Sequence, residues 1–301
     1  MHALVDTAWL AREIGDPQQE TGGEQATSGG SGGCGAAPPR IVDVRYYLDP
    51  ARQGRDAWRA GHIPGAVFLD MDRDLSAPGG GRGFPTGRHP WPGEEQVARV
   101  MGAAGIGPGV RVVAYDDASG STAARLWYLL RANGHDEVAV LDGGIARWQA
   151  EGRPLSTGEP RVEPAAFVSR LRSGFVVSKA EMIRDYTQRL VLDARVAPRY
   201  RGESEPIDPR AGHLPGALNA PWPANLTADA VPVFRSPAEL HRRYQALGAA
   251  RETPIVYCGS GVTACHDLLA LYLAGLRGTL YAGSWSEWSS DPDLPAATGD
   301  G

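Results

Sequence analysis

Cys258 is the residue whose setting most clearly asks for chemistry. It ends the apolar run Pro254-Ile255-Val256-Tyr257 and is followed by Gly259-Ser260-Gly261-Val262-Thr263-Ala264, a glycine-bearing turn that leads into a helical pattern. A buried strand that runs into a turn and then a helix places its last residue in the crevice beyond the carboxyl end of the sheet, where open α/β folds bind ligands. Gly259 and Gly261 let the chain curl so that the N–H groups from Gly259 through Thr263, those of Ser260 and Val262 included, face inward, and the helix start adds its positive end. Both favour an anion, and a helix N-terminus can lower a cysteine pKa from about 8.5 to roughly 3.5–7.5. The expected chemistry is that of a thiolate nucleophile.

The elements that hold this loop occur twice. Val42-Asp43-Val44-Arg45 recurs as Leu192-Asp193-Ala194-Arg195, and Gly61-His62-Ile63-Pro64-Gly65-Ala66 recurs as Gly212-His213-Leu214-Pro215-Gly216-Ala217. Val112 to Tyr115 before Gly120-Ser121-Thr122-Ala123 matches Pro254 to Tyr257 before Gly261-Val262-Thr263-Ala264, and Leu141-Asp142-Gly143-Gly144 with Trp148 matches Tyr281-Ala282-Gly283-Ser284 with Trp288. Such order marks an internal duplication. The first copy carries Asp116 where the second carries Cys258, so the fold itself does not require a cysteine there. Short β-branched runs (111–115, 137–141, 190–193, 254–257) alternate with helical patterns (122–132, 263–274), which predicts in each copy a mostly parallel sheet with helices on both faces. The expected domains are 1–150 and 165–301, joined by a proline- and glycine-rich linker at 151–164. Residues 16–39, rich in Gly, Ser, Gln and Pro, read as a flexible insertion that contains Cys34 without a second metal ligand nearby. Cys265, on the helix after the turn, is expected to pack.

The loop Cys-Gly-Ser-Gly-Val-Thr, both Gly-His-(Ile/Leu)-Pro-Gly-Ala segments and Gly283-Ser284-Trp285-Ser286-Glu287-Trp288 together resemble the tandem rhodanese family of sulfurtransferases, over nearly the whole chain outside 16–39. The resemblance implies two tandem rhodanese-like α/β domains, the first catalytically silent and the second carrying the nucleophile. It also implies a persulfide on Cys258, loaded by a small-molecule sulfur donor and unloaded by a thiol acceptor such as thioredoxin, or by cyanide. No metal and no organic cofactor is implied. Gly259 and Ser260 after the cysteine are similar to the 3-mercaptopyruvate branch, whereas thiosulfate enzymes carry basic residues there. That branch implies proton relay by Ser260 with His62 and Asp56 from the first domain, and Arg199 on the donor's carboxylate. A second arginine usually follows its Glu-Pro pair. Here Ile207 follows Glu205-Pro206, which leaves Arg210 as the substitute and thiosulfate as the alternative donor.

Other classes fit less well. A phosphatase built on this loop needs an arginine where Ala264 stands, and a non-catalytic sulfur carrier would not need the intact cysteine loop. A net charge of −5 without basic runs gives no footprint for nucleic acid. The longest apolar stretch, 268–276, is too short to span a bilayer, so no membrane partner is expected. The first residues show no secretory pattern, and three cysteines form no disulfide framework; both predict a cytoplasmic protein.

Overall fold

The computed structural model describes residues 1–15 and 37–300. Most of the predicted insertion, with Cys34, lies outside the described residues. Each half contains one five-stranded sheet, and every strand pair in both is parallel.

In the first domain β1 (Leu4–Val5), β2 (Arg40–Asp43), β3 (Val67–Phe68), β4 (Val112–Tyr115) and β5 (Val138–Leu141) lie in the order β1-β5-β4-β2-β3. The second repeats this with β6 (Val176–Val177), β7 (Val191–Asp193), β8 (Leu218–Asn219), β9 (Ile255–Tyr257) and β10 (Thr279–Tyr281), ordered β6-β10-β9-β7-β8. The central strands β4, β5 and β9 are buried along their whole length. Continuous apolar runs with no in–out alternation are what a sheet covered on both faces requires.

One apolar cluster contains residues of both domains, among them Leu126 and Trp127 of α4 (Ala123–Ala132) and Leu268 and Leu271 of α9 (Ala264–Leu273). The opposite faces of the two sheets form separate cores around Trp148 and around Trp285 and Trp288. The two helices that follow the Cys258 loop and the Asp116 loop therefore pack at the domain boundary, and the loops meet there.

The repeated motifs are structural braces. Asp43 accepts from the Arg45 guanidinium at 2.6 Å, and Arg45 Nη2 also donates to the Gly61 carbonyl at 2.8 Å. Asp193, Arg195 and Gly212 repeat the arrangement at 2.6 and 2.7 Å. The stretch between α5 (Gly144–Ala150) and β6 carries no helix or longer strand and runs past the predicted 151–164. It lies along the first domain, with Ser156 paired to His62 and the Arg172 N–H bonded to the Ala132 carbonyl. No helix among the described residues is long and apolar enough to cross a membrane.

Candidate active site

Cys258 sits at the end of β9, 1% exposed. Its carbonyl accepts the Trp285 N–H and that of Gly259 accepts the Ser286 N–H, both at 2.9 Å, while its own N–H donates to Ser284 Oγ at 3.1 Å. The Gly283–Trp288 motif thus fixes the entry to the loop from outside. Gly261 adopts φ +75°, and a β-carbon there would collide with the Ala282 carbonyl oxygen, so only glycine allows this turn. Its N–H points at Cys258 Sγ, 3.2 Å away.

The matching loop of the first domain shows what such a cradle holds. Asp116 accepts from the N–H groups of Ala118 (2.8 Å), Gly120 (2.9 Å), Thr122 (2.7 Å) and Ala123 (2.8 Å), and from Thr122 Oγ1 (2.9 Å). A carboxylate oxygen lies one bond beyond Cγ, as the outer sulfur of a cysteine persulfide lies one bond beyond Sγ. Gly120, Thr122 and Ala123 match Gly261, Thr263 and Ala264 in the repeat, so the corresponding donors of the second domain are placed for an anion on Cys258.

A cavity of about 400 Å³ opens over Cys258. Gly259, Ser260, Val262, Thr263 and Arg199 line it from the second domain, and Tyr46, Arg88 and His89 line it from the first. Ser260 Oγ lies 2.8 Å from His89 Nδ1, and His89 Nε2 lies 3.0 Å from Asp72 Oδ1 and 3.2 Å from the Tyr46 hydroxyl. Burial pushes the His89 pKa below its ordinary value, against the opposing pull of Asp72. A neutral ring that donates Nε2–H to Asp72 leaves Nδ1 to accept the Ser260 hydroxyl proton, a serine–histidine–aspartate line that crosses the domain boundary.

Arg199 donates to Glu205 at 2.7 Å and to Asp208 at 3.0 Å through Nη2. Arg88 donates to the other Asp208 oxygen at 2.6 Å through Nη1. Gly259 gives both guanidinium groups room: a β-carbon there would lie 2.9 Å from Arg88 Nη2 and 3.3 Å from Arg199 Nη1. Behind the loop Arg125, fully buried, donates to the carbonyls of Gly261 (3.1 Å), Leu75 (3.3 Å) and His89 (3.3 Å). Cys265 is a packed thiol bonded to the Gly261 carbonyl, and burial pushes its pKa up to about 12.

Cys258, Gly259, Ser260, Val262, Thr263 and Arg199 therefore share one cavity, with Gly261 shaping the loop beneath it. Three expected residues lie elsewhere. His62 is fully buried against Trp58, its Nδ1 2.8 Å from the Trp58 carbonyl and its backbone paired with Ser156. His213 does the same beside Tyr200 and Ala297, so the repeated histidine locks a turn in both domains. Asp56 is on α2 (Gly54–Ala60), 70% exposed and facing Arg59, away from the cavity. Arg210 spends its guanidinium on the backbone carbonyls of Trp288, Ser289, Asp291 and Leu294 and braces the end of the chain. The residues missed in the sequence, His89, Asp72 and Arg88, lie in the 72–89 stretch that the second copy does not repeat.

Residues 32–151 and 178–291 each match the Rhodanese-like domain family. A probable 3-mercaptopyruvate sulfurtransferase of Pseudomonas aeruginosa is 46% identical over 86% of this chain and 92% of its own length. A putative thiosulfate sulfurtransferase, SseB of Mycobacterium tuberculosis, is 37% identical over 87% and 92%. The crystal structure of SseA from Escherichia coli, a 3-mercaptopyruvate enzyme with the rhodanese fold, superposes with a TM-score of 0.75 at 29% identity, covering 95% of this chain and 99% of that one. A cysteine loop held between two copies of one α/β unit, together with these matches over both copies, makes this chain an enzyme of the tandem-domain rhodanese family of sulfurtransferases.

Proposed function

We propose that the chain moves sulfur from 3-mercaptopyruvate, through a persulfide on Cys258, to a thiol acceptor. The observation that carries this reading is the Ser260–His89–Asp72 line beside the nucleophile. Sulfite leaves thiosulfate as a stable anion and needs no acid, whereas cleavage of a carbon–sulfur bond releases a carbanion equivalent that must be protonated. A proton relay is useful only with the second kind of donor.

The Cys258 thiolate attacks the donor sulfur, a sulfur–sulfur bond forms, and the carbon–sulfur bond breaks with its electron pair going to carbon as the pyruvate enolate. The two sulfurs together lose two electrons in forming their bond, and the donor carbon gains them. Ser260 delivers a proton to the enolate and is reprotonated through His89, the proton coming from the donor S–H. The products are pyruvate and a persulfide anion facing the N–H groups of Gly261, Thr263 and Ala264, which act as an anion hole. One acceptor thiol then takes the outer sulfur as its own persulfide, and a second thiol releases hydrosulfide while the pair becomes a disulfide. Cyanide takes the same sulfur as thiocyanate. Reduced thioredoxin supplies two such thiols, and a reducing compartment such as the cytoplasm suits a chain that keeps Cys258 and Cys265 unpaired.

Steady-state rates on both donors test this. 3-Mercaptopyruvate should exceed thiosulfate in kcat/KM by at least about tenfold, or ~1.4 kcal/mol of transition-state binding, and Cys258→Ser should abolish transfer and the gain of one sulfur mass at that residue. Ile207, in place of the usual second arginine, favours thiosulfate as the competing reading. A preference for thiosulfate would establish it.

A further inference from the structure

We propose that Arg88, from the catalytically silent domain, supplies with Arg199 the guanidinium pair that grips the carboxylate of the sulfur donor and thereby sets donor choice. This rests on the 3-mercaptopyruvate reading. Ile207 leaves the second domain one cation short, and Arg210 is spent on carbonyls remote from the cavity. Arg88 stands in the gap.

Its placement is specific. Asp208, whose side chain is 0% exposed, holds Arg88 by one oxygen and Arg199 by the other, which fixes the two guanidinium groups side by side. The Arg88 N–H donates to Ser286 Oγ at 3.0 Å, in the same motif that pins the Cys258 loop. After these bonds, Arg88 Nη2 and Arg199 Nη1 have no hydrogen-bond partner among the described residues, and both border the space that a β-carbon on Gly259 would fill, next to the nucleophile. Two unspent N–H-bearing nitrogens on adjacent planar cations form the fork that a carboxylate accepts in bidentate fashion. Ser260, whose hydroxyl faces His89, follows Gly259 in the chain. A donor held by its carboxylate over Gly259 therefore has a proton source near the carbon it must protonate. Since Arg88 comes from the other domain, the donor completes the domain boundary when it binds.

The test compares 3-mercaptopyruvate with mercaptoacetone, the same thiol ketone with a methyl group in place of the carboxylate, in wild type, Arg88→Met and Arg88→Lys. For Arg88→Met we expect KM for 3-mercaptopyruvate to rise by about tenfold or more while kcat/KM for mercaptoacetone stays within about threefold. Arg88→Lys, which keeps the charge against Asp208 but loses the fork, should fall between, and it carries the comparison if Arg88→Met does not fold. Equal losses on both donors, or no loss on 3-mercaptopyruvate, would overturn the assignment. Wild type that turns over thiosulfate but not 3-mercaptopyruvate would instead sink the donor reading, and this proposal with it.

Discussion

In the proposed reaction His89 manages the proton and Cys258 the sulfur, and each can be tested on its own terms. Replacing His89 with alanine should lower kcat on 3-mercaptopyruvate by about 10²–10⁴-fold, the usual worth of a positioned acid–base group, and lower the thiosulfate rate far less. Comparable losses on both donors would give His89 a packing role only. Burial lowers the His89 pKa, so its ring stays neutral as pH falls through 6.5. The rate on 3-mercaptopyruvate should hold level through that value and drop only in more acid solution, whereas a fall centred on 6.5 would contradict the assignment. Stability follows the same sign, because the unfolded chain takes up this proton first. The contribution is complete above the ordinary histidine value and is lost as pH falls from there toward the lowered one. That Cys258 and Arg199 share a cavity was legible in the sequence, Cys258 from the strand–turn–helix around it and Arg199 from the family resemblance. The relay role that the resemblance implies for His62 is not where the structure puts it, because the Gly-His-Ile-Pro-Gly histidine locks a turn. A histidine present in both copies serves what the copies share, which is folding, and the relay must be sought where they differ. His89 sits in a glycine-rich stretch without periodicity, and only the packing of the two domains brings it to Ser260.

At the scale of elements, the turn between strand and helix recurs with opposite fillings. The first holds the Asp116 carboxylate, and the second would hold the charged sulfur of the proposed persulfide. Asp116→Ala should leave several buried N–H groups without an acceptor and lower unfolding free energy in urea by at least about 2 kcal/mol. A smaller loss would mean that the cradle does not depend on an anion. In the second domain Thr263→Val removes the hydroxyl that corresponds to Thr122 Oγ1. It should shorten the lifetime of the persulfide, followed by mass spectrometry after donor removal, with little change in unfolding midpoint. Helix α9, which starts from this turn, also buries Asp267, whose pKa is raised to about 7 by burial, against Arg243, Asn225 and Tyr244, with Asp193 adding to the rise. A carboxyl raised in the folded state binds its proton more tightly there, so stability should decline as pH climbs from 3.8 toward 7 and level off beyond. Asp267→Asn should flatten that slope, and an unchanged slope would show that Asp267 does not titrate in this window. Strand and helix positions were readable here because period and β-branching decide them. The partners of buried His266 and Asp267 on α9 were not, since sequence spacing does not say which neighbours a buried polar side chain will meet.

For the molecule as a whole, the first domain carries Asp116 in place of the cysteine but still builds part of the site. It contributes His89, Arg88 and Tyr46 to the cavity walls, Asp72 to the hydrogen-bonded line through His89, and Arg125 to the back of the cysteine loop. The duplication was plain in the sequence, but its functional consequence was not. The sequence orders motifs along the chain, whereas the site forms across a boundary that no repeat describes. One apolar cluster runs through that boundary, with Trp127 of the first domain against Tyr272 of the second at 5.5 Å. A core shared in this way couples the stability of the two halves, so the intact chain should unfold in urea in one step. Tryptophan fluorescence, which reports on Trp148 in the first domain and on Trp285 and Trp288 in the second, should change at the same midpoint as sulfur transfer is lost. Arg125 tests the coupling from inside. It is a fully buried cation whose three closest acceptors are carbonyls from both sides of the boundary, so Arg125→Met leaves those carbonyls unmet and loosens His89 and the cysteine loop together. That variant should lose transfer to 3-mercaptopyruvate by at least about tenfold, and its two halves should still unfold together, at a lower urea concentration. Two separate transitions in wild type, or full activity in Arg125→Met, would mean that the second domain keeps its site in order without the first.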